Sequence, residues 1–270
     1  MKLNARTVLL TGASGGIGQA LAREFAQRGA HLLLSARNVD KLATLGNELR
    51  ALGIDVSVLS ADLSSADGAE RLAHAALSGG TPDLVVHCAG SMSFGCLETI
   101  PTEEITQLWQ TNVIAPSLLT RALLPALRKQ GHGRLVFVGS IFGSLAFPMY
   151  ATYSATKFAL RGFAEALRRE LDGSGIGVTY VAPRYTRTPM NDGAPARIAQ
   201  ALSMQQDEPA MVARRIADAI ERDRRDLFFG FGERIFVKLN AWFPWLVDRG
   251  LRAQTRRMRE LEPATAGLPQ

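Results

Sequence analysis

The chain has 270 residues, of which 47% are hydrophobic and 21% charged, which suits a globular protein of one large α/β domain or two small ones. Its two cysteines, Cys88 and Cys96, have no His or Cys neighbours at metal-ligand spacing, which excludes a disulfide framework and predicts no metal site. No apolar run approaches the roughly 20 residues of a membrane span, and the first residues predict a strand rather than a signal peptide. The net charge of +6 comes from basic residues spread along the chain, so we expect no nucleic-acid partner.

Short apolar runs alternate with longer segments of helical spacing over roughly the first 180 residues. Strands are predicted at residues 7–10, 31–35, 54–59, 84–87, 134–138 and 177–181. Helices are predicted at residues 16–28, 39–52, 67–77, 102–129 and 150–171. Because the strands are almost continuously apolar, we expect a parallel sheet covered by helices on both faces. The predicted fold class is α/β, a single Rossmann-type, doubly wound parallel sheet of about seven strands.

The last third of the chain follows this alternation less closely. Residues 183–195 are rich in Pro, Arg, Thr, Asn and Gly, which predicts a mobile loop. A helix over 209–222 and a strand over 227–229 would complete the sheet. We therefore predict one Rossmann domain over residues 1–232, followed by a helical extension over 233–270 that belongs to the same domain or lies at its periphery.

A glycine-rich turn follows the first predicted strand and leads directly into an amphipathic helix. Glycines permit a tight turn and let the backbone approach a pyrophosphate, which then lies at the positive end of the helix. Such a turn is a weak signal alone and a good one between the first strand and helix of a βαβ unit. It predicts a dinucleotide cofactor that contacts Gly12, Ser14, Gly15, Gly16, Ile17 and Gly18.

The end of the second predicted strand bears on which dinucleotide binds. NAD-binding sheets place an acid there, roughly 20 residues past the glycines, to hold the ribose hydroxyls. Here that position is followed by Arg37, and no acid precedes Asp40. Arg37 can pair with a 2′-phosphate through charge-assisted hydrogen bonds, although it could also be a surface residue that leads into the helix. The missing acid favours NADP(H) over NAD(H).

Tyr153 and Lys157 are four residues apart at the start of a predicted helix, so both side chains lie on one helical face. A free tyrosine has a pKa of about 10 and is a poor acid or base at neutral pH. A nearby ammonium favours the phenolate, so we expect Lys157 to bring the pKa of Tyr153 toward the working range. A chance surface pair is the alternative, and Ser140 at the end of the preceding strand argues against it.

These features together resemble the short-chain dehydrogenase/reductase family. The matching motifs occur in the family's order over roughly the first 190 residues, and they are Thr11-Gly-x-x-x-Gly16-x-Gly18, Asp62-Leu63, Ala89-Gly90, Asn112, Ser140, Tyr153-x-x-x-Lys157 and Pro183…Thr188. The resemblance implies an oxidoreductase that interconverts a ketone or aldehyde and an alcohol with NADP(H). It also implies a homodimer or homotetramer, because many family members assemble in this way.

The resemblance assigns a role to each matching residue. Tyr153 would exchange the proton, Ser140 would hydrogen-bond the substrate oxygen, and Lys157 would bind the nicotinamide ribose. Asn112 would hold a water molecule that continues the proton relay. Cofactor contacts are implied for Leu63, Ala89, Gly90, Pro183 and Thr186, with Asp62 at the adenine and Thr188 at the nicotinamide carboxamide.

The chain departs from the family pattern at two positions. His87 stands where the family commonly has asparagine, and we expect it to replace that residue structurally rather than act as a base. Arg184 follows Pro183 where the family usually has glycine. Arg184 could contact an acidic group of the substrate or simply turn outward, and both interpretations stay open.

The loops that form the family's substrate pocket are mostly apolar in this chain. They contribute Ile141, Phe142, Leu145, Phe147, Met149 and Met190. This composition predicts a lipophilic substrate such as a fatty, steroid-like or aromatic ketone, although apolar loop residues also fold back into cores.

The C-terminal region combines aromatic and basic residues. Residues 234–247 contain Trp242 and Trp245 among apolar neighbours, and the residues that follow include Arg249, Arg252, Arg256, Arg257 and Arg259. This composition suits an amphipathic segment on an anionic membrane surface. The favoured alternative is a helix that buries the same aromatic residues over the substrate cleft or at a subunit interface.

The sequence thus predicts a cytoplasmic enzyme with a small-molecule carbonyl or alcohol substrate and, through its C-terminal region, possible contact with a membrane. The competing hypotheses are a catalytically inert nucleotide-sensing protein and a membrane-surface scaffold of the same fold. Neither alternative would need Asn112, Ser140, Tyr153 and Lys157 together.

Overall fold

The computed structural model describes residues 1–65 and 67–261. The strands are β1 (Thr7–Thr11), β2 (His31–Ala36), β3 (Val56–Ser60), β4 (Leu84–His87), β5 (Gly133–Val138), β6 (Ile176–Ala182) and β7 (Asp226–Phe228). The α-helices are α1 (Gly16–Gln27), α2 (Val39–Ala51), α3 (Gly68–Leu77), α4 (Thr102–Trp109), α5 (Ala115–Gln130), α6 (Ala151–Glu170), α7 (Ala194–Ala201), α8 (Pro209–Glu221), α9 (Phe231–Trp242) and α10 (Pro244–Leu261).

The seven strands form one parallel sheet in the order β3-β2-β1-β4-β5-β6-β7. The chain moves outward from β1 to β3, returns to the centre, and moves outward again from β4 to β7. The predicted doubly wound fold is confirmed. In such sheets the carboxyl ends of the two central strands flank a crevice, because their connections leave in opposite directions. That crevice is where a ligand is expected.

Two apolar cores lie on opposite faces of the sheet. Helices α1, α2 and α8 cover one core, and α3, α5 and α6 cover the other. Alternate residues of a strand point to opposite faces, so Val8 and Leu10 enter the first core and Leu9 the second. This two-sided burial explains the continuous apolar runs, since fully burying each such side chain contributes about 1.5–3 kcal/mol.

The structure refines several predicted boundaries. The helix predicted over 102–129 is interrupted by a π-helical segment, Gln110–Ile114, between α4 and α5. The loop predicted over 183–195 contains a 3₁₀ turn, Pro189–Asn191, and ends where α7 begins. Helix α7 was not predicted, because it is only eight residues long and follows a segment rich in Pro and Gly.

The predicted C-terminal extension corresponds to α9 and α10, and α9 begins at Phe231, two residues before the predicted boundary at residue 233. Each helix packs on the domain by one face. On α10 the inward positions are Val247, Leu251, Thr255 and Met258, and Val247 and Met258 are buried. Among the described residues, no helix is long and apolar enough to span a bilayer.

Candidate active site

A cleft of about 1270 Å³ opens along the carboxyl ends of the central strands. This volume exceeds the roughly 300–1,000 Å³ of a typical small-ligand pocket, so the cleft has room for a dinucleotide. Predicted cofactor residues that line it are Gly12, Ser14, Gly15, Gly16, Ile17, Gly18, Arg37, Leu63, Ala89, Gly90, Tyr153, Lys157 and Thr188. Among residues 1–65 and 67–261, no cluster of His, Cys, Asp or Glu side chains could hold a metal ion.

The glycine turn packs tightly against the end of β4. Gly12 has a φ of +68°, and a Cβ there would lie 2.7 Å from the Ala89 Cα atom. The Thr11 hydroxyl donates to the Val86 carbonyl oxygen at 3.3 Å and accepts from the backbone N–H groups of Cys88 and Ala89. These contacts join β1 and β4 where the crevice begins.

Helix α1 begins at Gly16 with its amino end toward the cleft, and its first turn holds no acidic residue. A Cβ at Gly16 would lie 2.6 Å from Cγ2 of Thr188, so the loop after β6 closes directly over this end of the helix. The bare backbone and the helix dipole together favour an anionic group such as a pyrophosphate. The residues of this turn therefore fit a dinucleotide.

The far end of the cleft is formed by the end of β2 and the start of α2. Arg37 is exposed there, and Lys41 lines the same region. The Ser35 hydroxyl is buried and finds no hydrogen-bond partner among the described residues. Asp62 accepts hydrogen bonds from the Ser64 hydroxyl and backbone N–H, which lower the pKa of its carboxyl group. The Asp62 side chain is thus engaged locally, and its neighbour Leu63 lines the cleft instead.

Tyr153 and Lys157 project from α6 into the middle of the cleft. Their side chains are buried, at 8% and 5% exposure, and the Lys157 Nζ atom lies 5.6 Å from the centre of the Tyr153 ring. Lys157 also donates to the Val138 carbonyl oxygen at 3.4 Å. Ser140 follows β5, and its hydroxyl accepts the backbone N–H of Phe142 at 3.1 Å. The structure therefore brings the end of β5 and the first turns of α6 together at one site.

Asn112 lies in the π-helical segment, which turns its side chain toward the interior. Its amide oxygen accepts the Ser91 backbone N–H at 2.9 Å, and its amide nitrogen donates to the Ser91 carbonyl and the Thr156 hydroxyl at 3.0 Å each. π-helical segments often mark functional positions in helices. Here the segment joins the loop after β4 to α6 through one side chain, close to Tyr153.

Burial has the largest effect on the pKa values of Tyr153 and Lys157. It raises the pKa of Tyr153 to about 12, with the neighbouring Ser140 side chain acting in the opposite direction. Burial also lowers the pKa of Lys157 to about 8. The residue spacing predicted that Lys157 lowers the pKa of Tyr153. In this structure burial raises that pKa instead, because the phenolate loses its hydration. At neutral pH the Tyr153 phenol therefore keeps its proton.

An apolar cluster includes Tyr153. Its buried members are Leu108, Tyr150, Tyr153, Ile198 and Met258, and its partly buried members are Met92, Phe94, Phe142, Phe147, Met149 and Leu202. Phe142 stacks on Phe147 at 5.3 Å and meets the Tyr153 ring edge-on at 6.3 Å. Of the other predicted substrate residues, Ile141 is buried, Leu145 is half-buried and Met190 lines the cleft.

A family model described as short chain dehydrogenase matches residues 6–198. The chain belongs to this family. Hydroxysteroid 11-beta-dehydrogenase 1-like protein A from Xenopus laevis is 33% identical over 254 residues, which cover 92% of this chain and 86% of that protein.

Solved structures show the same architecture. A short-chain dehydrogenase from Sphingobium yanoikuyae in complex with NADPH is 28% identical, with a TM-score of 0.78 and coverage of 90% of this chain and 96% of that one. A short chain dehydrogenase/reductase from Burkholderia phymatum in complex with NAD is 23% identical, with a TM-score of 0.85 and coverage of 91% and 96%. The protein is therefore an oxidoreductase of a family whose members bind NAD or NADP.

In this short-chain dehydrogenase, Arg184 does not line the cleft. Its guanidinium pairs with Asp207 at 2.8 Å and with Glu233 of α9 at 3.1 Å. The hydrogen bonds that Arg184 donates to Asp207 are the main reason that the pKa of Arg184 is raised. The guanidinium is thus held by two carboxylates of the protein itself, and a role of Arg184 toward the substrate stays a prediction.

Two other predicted cofactor residues, Pro183 and Thr186, also lie outside the residues that line the cleft. The Pro183 carbonyl accepts the Ile141 backbone N–H at 2.8 Å, and the buried Thr186 hydroxyl donates to the Arg184 carbonyl at 3.0 Å. Both shape the backbone that presents Thr188.

His87 packs inside the second core. Its ring stacks on Phe137 at 4.7 Å, and its Nε2 atom lies 3.0 Å from the Thr120 hydroxyl. Burial lowers the pKa of His87 to about 3, so the ring is neutral at physiological pH. This environment agrees with the structural role expected from the sequence.

Two residues that pack against the site, Tyr180 and Met258, were not predicted from the sequence. Tyr180 of β6 is fully buried and donates its hydroxyl to the Ser140 carbonyl oxygen at 3.2 Å. Its ring also fills the space beside Gly139 and Gly143, where any Cβ would collide with the phenol. Met258 reaches the cluster around Tyr153 from α10, more than 100 residues away in sequence. Neither contact leaves a local spacing signal in the sequence.

Proposed function

We propose that this protein is an NADP(H)-dependent oxidoreductase that interconverts a lipophilic ketone or aldehyde and its alcohol, with Tyr153 exchanging the proton. The observation that carries the proposal is the position of Tyr153. Its buried, protonated phenol lies beside Lys157, between the dinucleotide cleft and the apolar cluster. A carbonyl group held against this phenol would extend its apolar substituents into the cluster of aromatic residues.

A nicotinamide cofactor held by the glycine turn and Lys157 would supply the hydride chemistry at the carbonyl carbon. Tyr153 donates its proton to the carbonyl oxygen, so that no free alkoxide accumulates. The Ser140 hydroxyl would hydrogen-bond the same oxygen, and the positive charge of Lys157 would stabilise the phenolate that the proton transfer leaves. The surrounding aromatic side chains exclude water, which strengthens both interactions.

The preference for NADP(H) rests on the charge at the end of β2. Arg37 and Lys41 flank this part of the cleft, and neither Ser35 nor Ala36 supplies a carboxylate that would repel a 2′-phosphate. The apolar cluster supports a lipophilic substrate, since polar substituents would lose hydration against its aromatic rings.

Tyr153→Phe tests the proposal. The oxidation of NADPH and NADH is followed by absorbance with a panel of ketones, and the wild type should turn over lipophilic ketones with NADPH. Tyr153→Phe should lower kcat at least 100-fold and leave NADPH binding nearly unchanged. Tyr185→Phe is the matched control, because its hydroxyl bonds the Asn191 carbonyl outside the cleft. NADPH binding without turnover by the wild type would support the nucleotide-sensing alternative and refute the proposal.

We also propose that residues 1–232 form the catalytic domain, that the remaining residues are an extension of it, and that the protein acts as a homo-oligomer in the cytoplasm. The contacts of Glu233 and Asn240 of α9 and of Met258 of α10 with the rest of the domain support the first part, and the free thiols of Cys88 and Cys96 support the location. Analytical ultracentrifugation tests the assembly, and a monomer at micromolar concentration would contradict it.

A further inference from the structure

The outward face of α9 carries large apolar residues that the described protein does not cover. Four residues of α9 lie on one helical face, because they are separated by four, three and four positions. They are Phe231, Ile235, Lys238 and Trp242. Phe231 is 80% exposed, Ile235 52% and Trp242 78%. Single exposed apolar residues are ordinary, but a continuous exposed row usually marks an interaction surface.

The outward face of α10 continues this row and changes its chemistry. Trp245, Arg249, Arg252 and Arg256 have the same spacing, and all four are exposed. Trp245 is 61% exposed and lies next to Phe243 and Leu246, which are also exposed. The two rows together, Phe231, Ile235, Lys238, Trp242, Trp245, Arg249, Arg252 and Arg256, are called the α9–α10 face below.

Contacts on the opposite sides of the helices fix the direction of this face. Glu233 pairs with Arg184, and the Asn240 amide lies 3.4 Å from the Ser144 carbonyl oxygen. On α10, Met258 is fully buried in the cluster around Tyr153. These contacts attach both helices to the domain. The outer positions therefore point to solvent because they lie on the opposite side of each helix.

The charge of the two helices selects the partner. Residues 231–261 contain seven basic and three acidic side chains, a net charge of +4 out of +6 for the whole chain. Such a surface complements anionic lipid headgroups, and tryptophan favours the boundary between headgroups and acyl chains. A second copy of the chain fits less well, because a two-fold interface that included the basic row would oppose like charges.

We propose that the α9–α10 face binds the surface of an anionic phospholipid membrane. The apolar row would enter the boundary of the acyl chains, and the basic row would contact the phosphate groups. Because Met258 on the inner side of α10 contacts the cluster around Tyr153, the bound membrane would lie beside the apolar end of the cleft. Membrane binding does not depend on the reaction proposed above.

Co-sedimentation of the full chain with vesicles tests the charge requirement. Vesicles of phosphatidylcholine alone are compared with vesicles that contain a third phosphatidylglycerol, at low and at physiological salt. The triple variant Arg249→Gln, Arg252→Gln, Arg256→Gln should bind the anionic vesicles roughly 100-fold more weakly. The matched control Arg128→Gln, Lys129→Gln, Arg222→Gln removes the same charge from exposed positions elsewhere and should bind like the wild type.

Tryptophan fluorescence tests the orientation. The chain has three tryptophans, Trp109, Trp242 and Trp245. Anionic vesicles should shift the emission of the wild type and of Trp109→Phe to shorter wavelength. The double variant Trp242→Phe, Trp245→Phe retains only Trp109 on α4 and should show no shift. Circular dichroism checks that each variant is folded.

Several results would overturn the proposal. Equal binding of the wild type to neutral and anionic vesicles would contradict the proposed role of charge. No binding to either kind of vesicle would contradict membrane binding. Equal loss in the triple variant and its matched control would show an effect of net charge alone. If replacing Trp242 and Trp245 by alanine dissociated an oligomer without changing vesicle binding, the face would be an interface between copies of the chain.

Discussion

Replacing Lys157 by methionine should stabilise the cofactor-free protein while abolishing its activity. Burial lowers the pKa of Lys157 from 10.5 to about 8, so the folded state disfavours the charged ammonium. At about 1.4 kcal/mol per pKa unit, this shift corresponds to roughly 3 kcal/mol of lost stability at neutral pH. Methionine has a similar length and no charge. It leaves the Val138 carbonyl without its donor at 3.4 Å, which costs about 1 kcal/mol.

The net gain should therefore be about 2 kcal/mol at pH 7, or a rise in Tm of roughly 4–8 °C. The sign of the pH dependence follows from the lowered pKa. Below pH 8 the lysine is charged in both states and the full cost is present. Between about pH 8 and 10.5 the folded protein loses the proton before the unfolded chain does, so the wild type recovers stability. The advantage of Lys157→Met should shrink accordingly as the pH rises.

Urea unfolding of both proteins without cofactor at pH 7 and pH 10 measures this effect. Lys129→Met is the matched control, since Lys129 is exposed at the end of α5 and its replacement should change stability by less than about 0.5 kcal/mol. A Lys157→Met protein that is less stable than the wild type at pH 7 would refute the reasoning. So would a gain that is the same at both pH values, because it could not come from the buried charge.

Three further predictions concern the cofactor, the core and α10. Arg37→Ala should lower kcat/KM for NADPH about 10- to 100-fold and change that for NADH little, because one charge-assisted contact to the 2′-phosphate is lost. His87→Asn should reduce the stability difference between pH 7 and pH 5 by about 2 kcal/mol in urea unfolding, because the buried ring resists a proton that the unfolded chain accepts. Met258→Ala should cost about 2–3 kcal/mol and increase hydrogen exchange in α10, because Met258 is fully buried in the apolar cluster.

Each of these predictions can be contradicted. Equal losses with both cofactors would show that Arg37 does not contact a 2′-phosphate. An unchanged acid dependence in His87→Asn would mean that other groups govern the acid loss of stability. Unchanged exchange in Met258→Ala would mean that α10 is held by its other inner contacts, such as Val247.

The sheet was predictable because parallel strands are buried on both faces and are therefore apolar throughout. The glycine turn was predictable because its function needs specific backbone geometry, and Gly12 and Gly16 stand at positions where a Cβ would collide with a neighbour. The close approach of Tyr153 and Lys157 followed from the helical repeat alone. These features depend on local patterns that survive in a single sequence.

Features that depend on long-range packing were not predictable. The pKa of Tyr153 is raised because the site is buried, and burial comes from elements distant in sequence, including α10. Arg184 is paired by Asp207 and Glu233, 23 and 49 residues further along the chain, and nothing in the spacing identifies them. The favoured interpretation placed the aromatic residues of the C-terminal region over the substrate cleft or at a subunit interface, and within the single chain Trp242 is 78% exposed. Helical periodicity shows that such a helix has two faces but not which one the domain covers.

The phenol of Tyr180 beneath the loop after β5 has a consequence for how this protein can vary. Because the ring occupies the space beside position 139, a side chain there requires a smaller residue at position 180. Position 143 is also confined by the backbone carbonyl of Lys157, so a smaller residue at position 180 does not make room for a side chain there. A smaller residue at position 180 would in turn release the Ser140 carbonyl. A change at position 139 should therefore occur together with one at position 180, whereas position 143 stays restricted to glycine.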